Sequence, residues 1–275
     1  MGHNGENHRK MLLHACCGPC SLEPVRLLRE AGTEPVIYYA NSNIQPEEEY
    51  ARRLETLAFW AQDEALEVIE GAYDSQAWEA SAGRIGEAAR EKHGVIIHEA
   101  SNDPLTKEAP EGTPDEAEAA RRARCRACYR LRFEETARYA AEHGFESIGT
   151  TLSVSPYQYT GIIREELERA AAQAGVEARF ADYRPYYDNA TTRSREAGMY
   201  RQNYCACRFS EEEARVEREM RKIARKATKE SLRAQKAQAQ AAEEKARAES
   251  RAEKAAYADK QARKRAILKQ LREQK

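Results

Sequence analysis

Residues 10–21 read KMLLHACCGPCS, an apolar run that ends in a turn rich in cysteine. The apolar part, residues 10–15, predicts a short buried strand. Ser21 can cap a helix that continues to residue 31, and residues 34–41 (EPVIYYAN) predict a second strand. The chain therefore starts as a strand, a helix and a strand, which is the unit from which parallel sheets are built.

Strand and helix signals continue to alternate as far as residue 182. Proline and glycine between residues 94 and 114 predict a loop. The predicted helices span residues 46–63, 74–92, 115–143 and 162–174, and the further predicted strands span residues 65–69, 145–152 and 176–182. This alternation predicts an α/β fold, a parallel sheet with helices on both faces. Ligands of such sheets bind at the carboxyl ends of the strands, and we expect the turns after Ala15, Asn41 and Thr151 to share that edge.

The composition is that of a polar chain of moderate size. Its 275 residues are enough for one full α/β domain or two small ones. The seven cysteines are odd in number and too few for a secreted disulfide scaffold of this length. The sequence has no apolar run long enough to span a membrane and no signal-peptide core, so we expect a soluble, cytoplasmic protein with reduced thiols.

The net charge of −1 hides two segments of opposite charge. Residues 211–275 hold 20 basic and 12 acidic side chains, a net of +8, whereas residues 1–210 hold 25 and 34, a net of −9. The basic segment has no Gly, Pro or Cys and is dominated by strong helix formers, while its apolar residues are too sparse for a coiled coil. We therefore expect a catalytic domain over 1–210 and a helical extension over 211–275, which is either a solvated helix or a contact for nucleic-acid phosphates.

The cysteines fall into three groups, and spacing limits what each can do. Two C-x-x-C pairs, which begin at Cys17 and Cys125, can each grip one metal or oxidise to a disulfide. The 104 residues between the pairs disfavour a local zinc finger, but distant pairs can still complete a zinc or iron–sulfur site. Cys205 and Cys207 form a C-x-C pair, which is either an easily reduced disulfide or two packed thiols near Phe209.

Two further properties of the first cysteine motif bear on function. Cys17-Gly18-Pro19-Cys20 spells the C-G-P-C of thioredoxins, which leaves a thiol–disulfide oxidoreductase open beside a zinc-stabilised binding module. Because a helix is predicted to begin near Ser21, its dipole is expected to lower the pKa of Cys20 and favour the thiolate that binds metal.

Taken together, five segments resemble the QueH-type epoxyqueuosine reductases, cobalamin-independent enzymes that complete queuosine in tRNA. They carry all seven cysteines, and the resemblance covers residues 10–210. The segments are residues 12–21 (LLHACCGPCS), 43–53 (NIQPEEEYARR), 125–132 (CRACYRLR), 150–158 (TTLSVSPYQ) and 198–210 (GMYRQNYCACRFS). One departure is Ala206, which stands where glycine is expected between the last two cysteines.

The resemblance implies a fold, a cofactor and a reaction. The fold would be Rossmann-like and similar to the adenine nucleotide α-hydrolases. Cys205 and Cys207 would be the redox-active pair. The resemblance leaves Cys20 unassigned, and we expect it to face the same cavity and help to hold a further iron or the substrate. The implied ligands of a [4Fe–4S] cluster are Cys16, Cys17, Cys125 and Cys128. The reaction would remove the epoxide oxygen of epoxyqueuosine at the wobble position of tRNA, with electrons from an unidentified donor.

Such a reaction also needs a proton donor and contacts to RNA. Candidate donors at the strand ends are His14, Tyr157 and Asp182, each of which also has a structural explanation. Aromatic rings and guanidinium groups could hold a splayed anticodon loop. The candidate rings are Tyr38, Tyr39, Tyr157, Tyr159, Tyr186 and Tyr187. The candidate guanidinium rim is Arg52, Arg53, Arg130, Arg132, Arg164 and Arg193.

Overall fold

A parallel five-stranded sheet forms the centre of the chain, with the strands in the order β3-β2-β1-β4-β5. The structure is a computed structural model that describes residues 11–97 and 115–273, so most of the predicted 94–114 loop lies outside the described residues. The strands are β1 (Met11–His14), β2 (Pro35–Tyr39), β3 (Val68–Glu70), β4 (Ser147–Thr150) and β5 (Glu177–Ala178). The predicted α/β fold is confirmed.

The apolar run that opens the chain becomes the middle strand. Leu12 pairs with Val36 of β2 on one side and with Ile148 of β4 on the other. All four residues of β1 are buried, as expected for a strand covered on both faces. The order reverses between β1 and β4, and in sheets of this order ligands bind at that reversal.

Helices cover both faces of the sheet. Alternate residues of β1 point to opposite sides, so Leu13 packs in one core cluster and Leu12 in the other. The helices are α1 (Gly18–Glu30), α2 (Glu47–Asp63), α3 (Ser75–Trp78), α4 (Arg84–His93), α5 (Glu116–Glu142), α6 (Thr160–Ala174), α7 (Tyr187–Glu196) and α8 (Ser210–Glu273). A turn of π-helix, Glu79–Gly83, joins α3 to α4, which interrupts the helix predicted over 74–92.

The first helix begins earlier than predicted. Cys17 is the N-cap of α1, and Pro19 lies in its first turn, where a missing N–H leaves no hydrogen bond unmade. Ser21 is therefore inside the helix, and its hydroxyl donates to the carbonyl of Cys17 at 2.9 Å. The capping role predicted for Ser21 is wrong, and the cysteine turn is shorter than expected.

Two compact units divide the chain, residues 1–217 and residues 218–275. The first turns of α8 belong to the first unit, where Glu213 is buried against α5. None of the helices in the described ranges combines the length and apolar character needed to cross a lipid bilayer.

Candidate metal centre

The turn between β1 and α1 brings three cysteines together. The sulfurs of Cys16, Cys17 and Cys20 lie within 4.8 Å of one another, and those of Cys16 and Cys17 are 3.8 Å apart. A side chain from the neighbouring strand end fixes the turn, since the amide of Asn41 donates to the carbonyl of Ala15 at 2.8 Å. The backbone N–H of Thr151 donates to the carbonyl of His14 at 2.9 Å. The turns after Ala15, Asn41 and Thr151 therefore lie at one edge of the sheet, as predicted.

Electrostatics single out one of the three thiols. Hydrogen bonds from Cys16 and Cys20, together with the charge of Arg53, hold the pKa of Cys17 well below its usual value in spite of burial. The hydrogen bond with Cys17 raises the pKa of Cys16 to about 12, and hydrogen bonds with Cys16 and Cys17 raise that of Cys20 well above normal. Among the three thiols, Cys17 is therefore the one whose thiolate form the surroundings favour.

The pKa predicted for Cys20 was thus wrong in direction, because its hydrogen bonds with Cys16 and Cys17 and its burial outweigh the helix dipole. Cys17 is the N-cap residue, at the positive end of the α1 dipole, whereas Cys20 lies within the first turn. Both thiols lie near that end of the helix, so the dipole does not explain why their pKa values shift in opposite directions.

A second group consists of the two remaining cysteine pairs. Cys125 and Cys128 lie one turn apart on α5, and Cys128 packs with Cys207 against Trp78 in a small apolar cluster. Burial raises the pKa of Cys128 to about 12 and that of Cys207 to about 11, and in each case the charge of Cys205 adds to the rise. The structure thus brings the C-x-C pair beside the C-x-x-C pair of α5, with all seven cysteines as free thiols.

The two groups are linked through one buried arginine. Arg132 is 2% exposed and donates to the side-chain oxygen of Asn41 at 2.5 Å. The main cause of the raised pKa is the hydrogen bond with Cys17 for Cys16, and burial for Cys128. In both cases the charge of Arg132 acts in the opposite direction and lowers the pKa. Arg132 therefore lies close enough to act on a thiol of each group.

A second buried arginine holds the C-x-C loop. Arg53 is 2% exposed and pairs with Glu49 at 2.7 Å, while its other nitrogens donate to the carbonyls of Cys205 at 3.3 Å and Tyr204 at 3.4 Å. Between the two cysteines, the buried Ala206 adopts φ +81°, a left-handed conformation that favours glycine. Glycine, which the resemblance predicts at position 206, would adopt this conformation without strain.

A third buried arginine, on α5, lies beside the second group of cysteines. Arg124 makes two hydrogen bonds to Glu213, at 2.5 and 3.0 Å, and lies 3.9 Å from the sulfur of Cys125. Burial alone would raise the pKa of Glu213, but the hydrogen bond from Arg124 and the charge of Arg121 hold it below its usual value. Sequence analysis missed this pair, since only the fold brings the start of α8 to α5.

Of the six arginines predicted to form a guanidinium rim, the structure leaves three exposed. Arg53 and Arg132 are buried beside the cysteines, so their placement in a surface rim was wrong. Arg193 is half-buried and pairs with Glu23 at 2.8 Å. The remaining three members, Arg52, Arg130 and Arg164, are exposed.

The proton-donor candidates occupy different environments. His14 is fully buried, with its ring nitrogens 3.1 Å from the hydroxyl of Thr150 and 3.2 Å from the carbonyl of Ala40, and burial lowers its pKa well below normal. Asp182 pairs with Arg184, whose hydrogen bonds hold the pKa of that carboxyl below normal against the effect of burial. Both groups are therefore deprotonated at neutral pH, and both have structural roles.

The tyrosine candidates divide in the same way. Tyr38 and Tyr39 are core residues, 1% and 0% exposed, so neither can stack on a base. Tyr157 is 40% exposed and meets the ring of Tyr187 edge-on at 6.2 Å. Burial raises the pKa of Tyr187, and its nearness to Tyr157 and Cys20 adds to the rise, so Tyr187 lies beside the first cysteine group.

The donor set fits a metal. Three close cysteine sulfurs are the soft ligands that iron and zinc accept, and buried guanidinium groups would offset the negative charge of the ligands. Within the described residues no other group of three or more His, Cys, Asp or Glu side chains comes as close together.

Comparison with known families decides among the thiolate-based functions. A family model described as "Epoxyqueuosine reductase QueH" matches residues 11–96 and 95–213. The chain belongs to the epoxyqueuosine reductase QueH family. The resemblance found in the five motifs is thereby confirmed, and so is the class of enzyme, an oxidoreductase of queuosine biosynthesis. The thiol–disulfide oxidoreductase and the zinc module are not favoured.

Individual relatives support the same family over most of their own length. A protein of Dehalococcoides mccartyi named "Epoxyqueuosine reductase QueH" is 29% identical over 74% of this chain and 93% of its own. Proteins of the same name from Histophilus somni and Thermotoga maritima are each 30% identical, over 74% and 73% of this chain and 72% and 89% of their own. The matched family residues end at 213, near the start of α8.

Proposed function

We propose that residues 1–210 reduce epoxyqueuosine at the wobble position of a tRNA to queuosine. Both C–O bonds of the epoxide break, a C=C bond forms, and two electrons and two protons carry the oxygen away as water. The observation that supports this proposal is that the family match includes all seven cysteines, which the fold gathers into two neighbouring groups. A reaction on tRNA, fed by a reductant and using free thiols, belongs in the cytoplasm.

The cofactor we propose is a [4Fe–4S] cluster, with a further iron near Cys20. The ligands of the cluster would be Cys16, Cys17, Cys125 and Cys128. When bound, iron would supply single electrons and a Lewis acid for the epoxide oxygen. The thiolate of Cys17 is ready to bind metal, and Arg132, which acts on a thiol of each group, would offset the negative charge.

The remaining cysteines are assigned by their surroundings. Cys205 and Cys207 would cycle between dithiol and disulfide and so deliver two electrons, and Arg53 fixes the backbone on which they sit. Cys20 keeps its proton at neutral pH, since its pKa is raised, and would face the substrate or the further iron. Tyr157, exposed at this edge, would stack on a base of the anticodon loop.

The experiment uses full-length protein purified without oxygen. We expect bound iron and sulfide, and conversion of epoxyqueuosine to queuosine in tRNA, measured by mass spectrometry of nucleosides after incubation with a chemical reductant. Epoxyqueuosine that persists in the presence of a fully loaded cluster would refute the proposal. Zinc in place of iron would refute the cofactor assignment.

Two substitutions separate the roles of the cysteines. Cys128→Ser should lower the iron content, because it removes a ligand. Cys205→Ser should leave iron unchanged and abolish turnover, because it removes half of the redox pair. Loss of iron from Cys205→Ser would show that this residue is a ligand instead.

A further inference from the structure

The second compact unit carries a strong positive charge. Residues 218–275 hold 19 Lys and Arg against 8 Asp and Glu, a net of +11, whereas residues 1–217 hold 26 against 38, a net of −12. Since the matched family residues end at 213, the family match does not account for this unit. Its charge therefore needs an explanation of its own.

The basic residues nearest the first unit share one face of α8. With about 100° of rotation per residue, the eight between positions 218 and 236 fall within a sector of roughly 140°. We call this set the basic stripe, and at about 1.5 Å per residue it is roughly 27 Å long. Its members are Arg218, Arg221, Lys222, Arg225, Lys226, Lys229, Arg233 and Lys236.

Most of the basic stripe has no acidic partner among the described residues. Lys222 approaches Glu219 at 3.9 Å, and Arg221 also has a contact. The other six are exposed and make no ion pair with any described residue. Five pairs within the stripe bring like charges together four residues apart, for example Arg225 and Lys229. Each such pair destabilises a helix by about 0.2–0.5 kcal/mol.

The far half of the same helix is built differently. There Arg247 pairs with Glu243, Arg263 pairs with Asp259 at 2.9 Å, and other acidic residues are interspersed. If the charged residues served only to stabilise the helix, such ion pairs would be expected along its whole length. The unpaired cations of the basic stripe therefore point to an external polyanion that offsets their repulsion.

The apolar residues of this region argue against a lipid surface. Met220, Ile223 and Leu232 are exposed, and Leu232 lies within the sector of the basic stripe whereas the other two lie outside it. Helices that lie on membranes need a continuous apolar face opposite their charges. A nucleic acid needs only the charges, since its phosphates are spaced closely along the backbone.

We propose that the basic stripe binds the sugar–phosphate backbone of the tRNA substrate, outside the nucleotide that reacts. The choice of RNA rests on the proposed function, and the stripe supplies the attraction that a first unit of net −12 lacks. Binding of this kind depends on charge and carries no sequence information.

The test compares two full-length variants with equal loss of charge and similar helix propensity. The stripe variant replaces Arg225, Lys229, Arg233 and Lys236 by Gln. The matched control replaces Lys245, Lys260, Arg263 and Lys264, which lie outside the sector, by Gln. Binding to an unmodified tRNA transcript is measured over a series of salt concentrations. Because this RNA lacks epoxyqueuosine, the result does not depend on reductase activity.

We expect the stripe variant to bind at least about tenfold more weakly near 0.15 M salt, with a slope of log K against log salt reduced by about 3. The control should remain within about twofold of the unchanged chain. Equal effects in both variants, or none in either, would overturn the proposal. Tight binding to vesicles of equal parts phosphatidylcholine and phosphatidylserine, with no RNA binding, would also overturn the proposal. Salt-sensitive self-association with no RNA binding would do the same. Failure of the reductase assay with intact RNA binding would refute only the proposed function.

Discussion

Replacing Arg53 by Met tests whether a buried guanidinium holds the C-x-C loop. The side chain is 2% exposed, pairs with Glu49 at 2.7 Å and donates to the carbonyls of Cys205 and Tyr204. Methionine keeps most of the volume but leaves the Glu49 carboxylate without its cation. The neighbouring Arg52 provides a matched control, since it is exposed and its guanidinium lies over the ring of Tyr200, at 5.1 Å from the centroid.

The size of the effect follows from burial. Removing one partner of a buried ion pair costs about 3–5 kcal/mol because the other charge stays buried. Glu49 keeps the hydrogen bond from the hydroxyl of Tyr200 at 2.7 Å, so we expect the lower end, about 3 kcal/mol. For a domain of this size that lowers Tm by about 6–12 °C. Arg52→Met should cost no more than about 0.5 kcal/mol.

The assay is thermal unfolding of both variants by circular dichroism, together with alkylation of Cys205 followed by mass spectrometry. Without the Arg53 hydrogen bonds the loop should open more often, so Cys205 should be alkylated faster in Arg53→Met than in Arg52→Met. Equal Tm values and equal alkylation rates in the two variants would refute the reasoning.

Three further predictions concern the rest of the first unit. Ala206→Gly should change stability in urea by less than about 0.5 kcal/mol, because relief of about 1 kcal/mol of strain at φ +81° offsets the lost methyl, whereas Ala206→Val should lose about 2 kcal/mol or more. Arg124→Met should lose about 3 kcal/mol, because Glu213 stays buried and keeps only its pair with Arg121 at 3.2 Å, and Arg122→Met, at a more exposed pair, about 1 kcal/mol or less; similar Tm values would contradict this. Burial raises the pKa of Glu166, but three arginines lower it to about 2 from 4.5. Its stabilisation, about 1–2 kcal/mol after allowance for screening by solvent, is complete above pH 4.5 and lost as the pH falls through about 2. In urea unfolding, the Glu166→Gln variant should therefore be less stable than the unchanged chain at pH 7 and equally stable in acid. A difference in stability that persists in acid would contradict this.

Local signals were enough for the sheet and for the position of the cysteine turn. The apolar run before Cys16 could hardly be anything but a central strand, because all its residues need burial. Helix starts were harder, since Ser21 is a good N-cap in isolation while Pro19 in the first turn moved the start to Gly18. The N-cap is therefore four residues earlier than predicted, at Cys17.

The sequence by itself determined the α/β alternation, the family and the charge contrast between the chain's two ends, because each rests on residues adjacent or regularly spaced in the chain. The grouping of Cys128 with Cys207, and the burial of Arg53, Arg124 and Arg132 beside the thiols, were decided only by tertiary structure. In an isolated sequence these arginines look like surface cations. Glu213 and Asn41 reach Arg124 and Arg132 from distant elements and so have no local signature. Glu49 lies four residues before Arg53 on α2, a spacing that predicts an ion pair but not its burial.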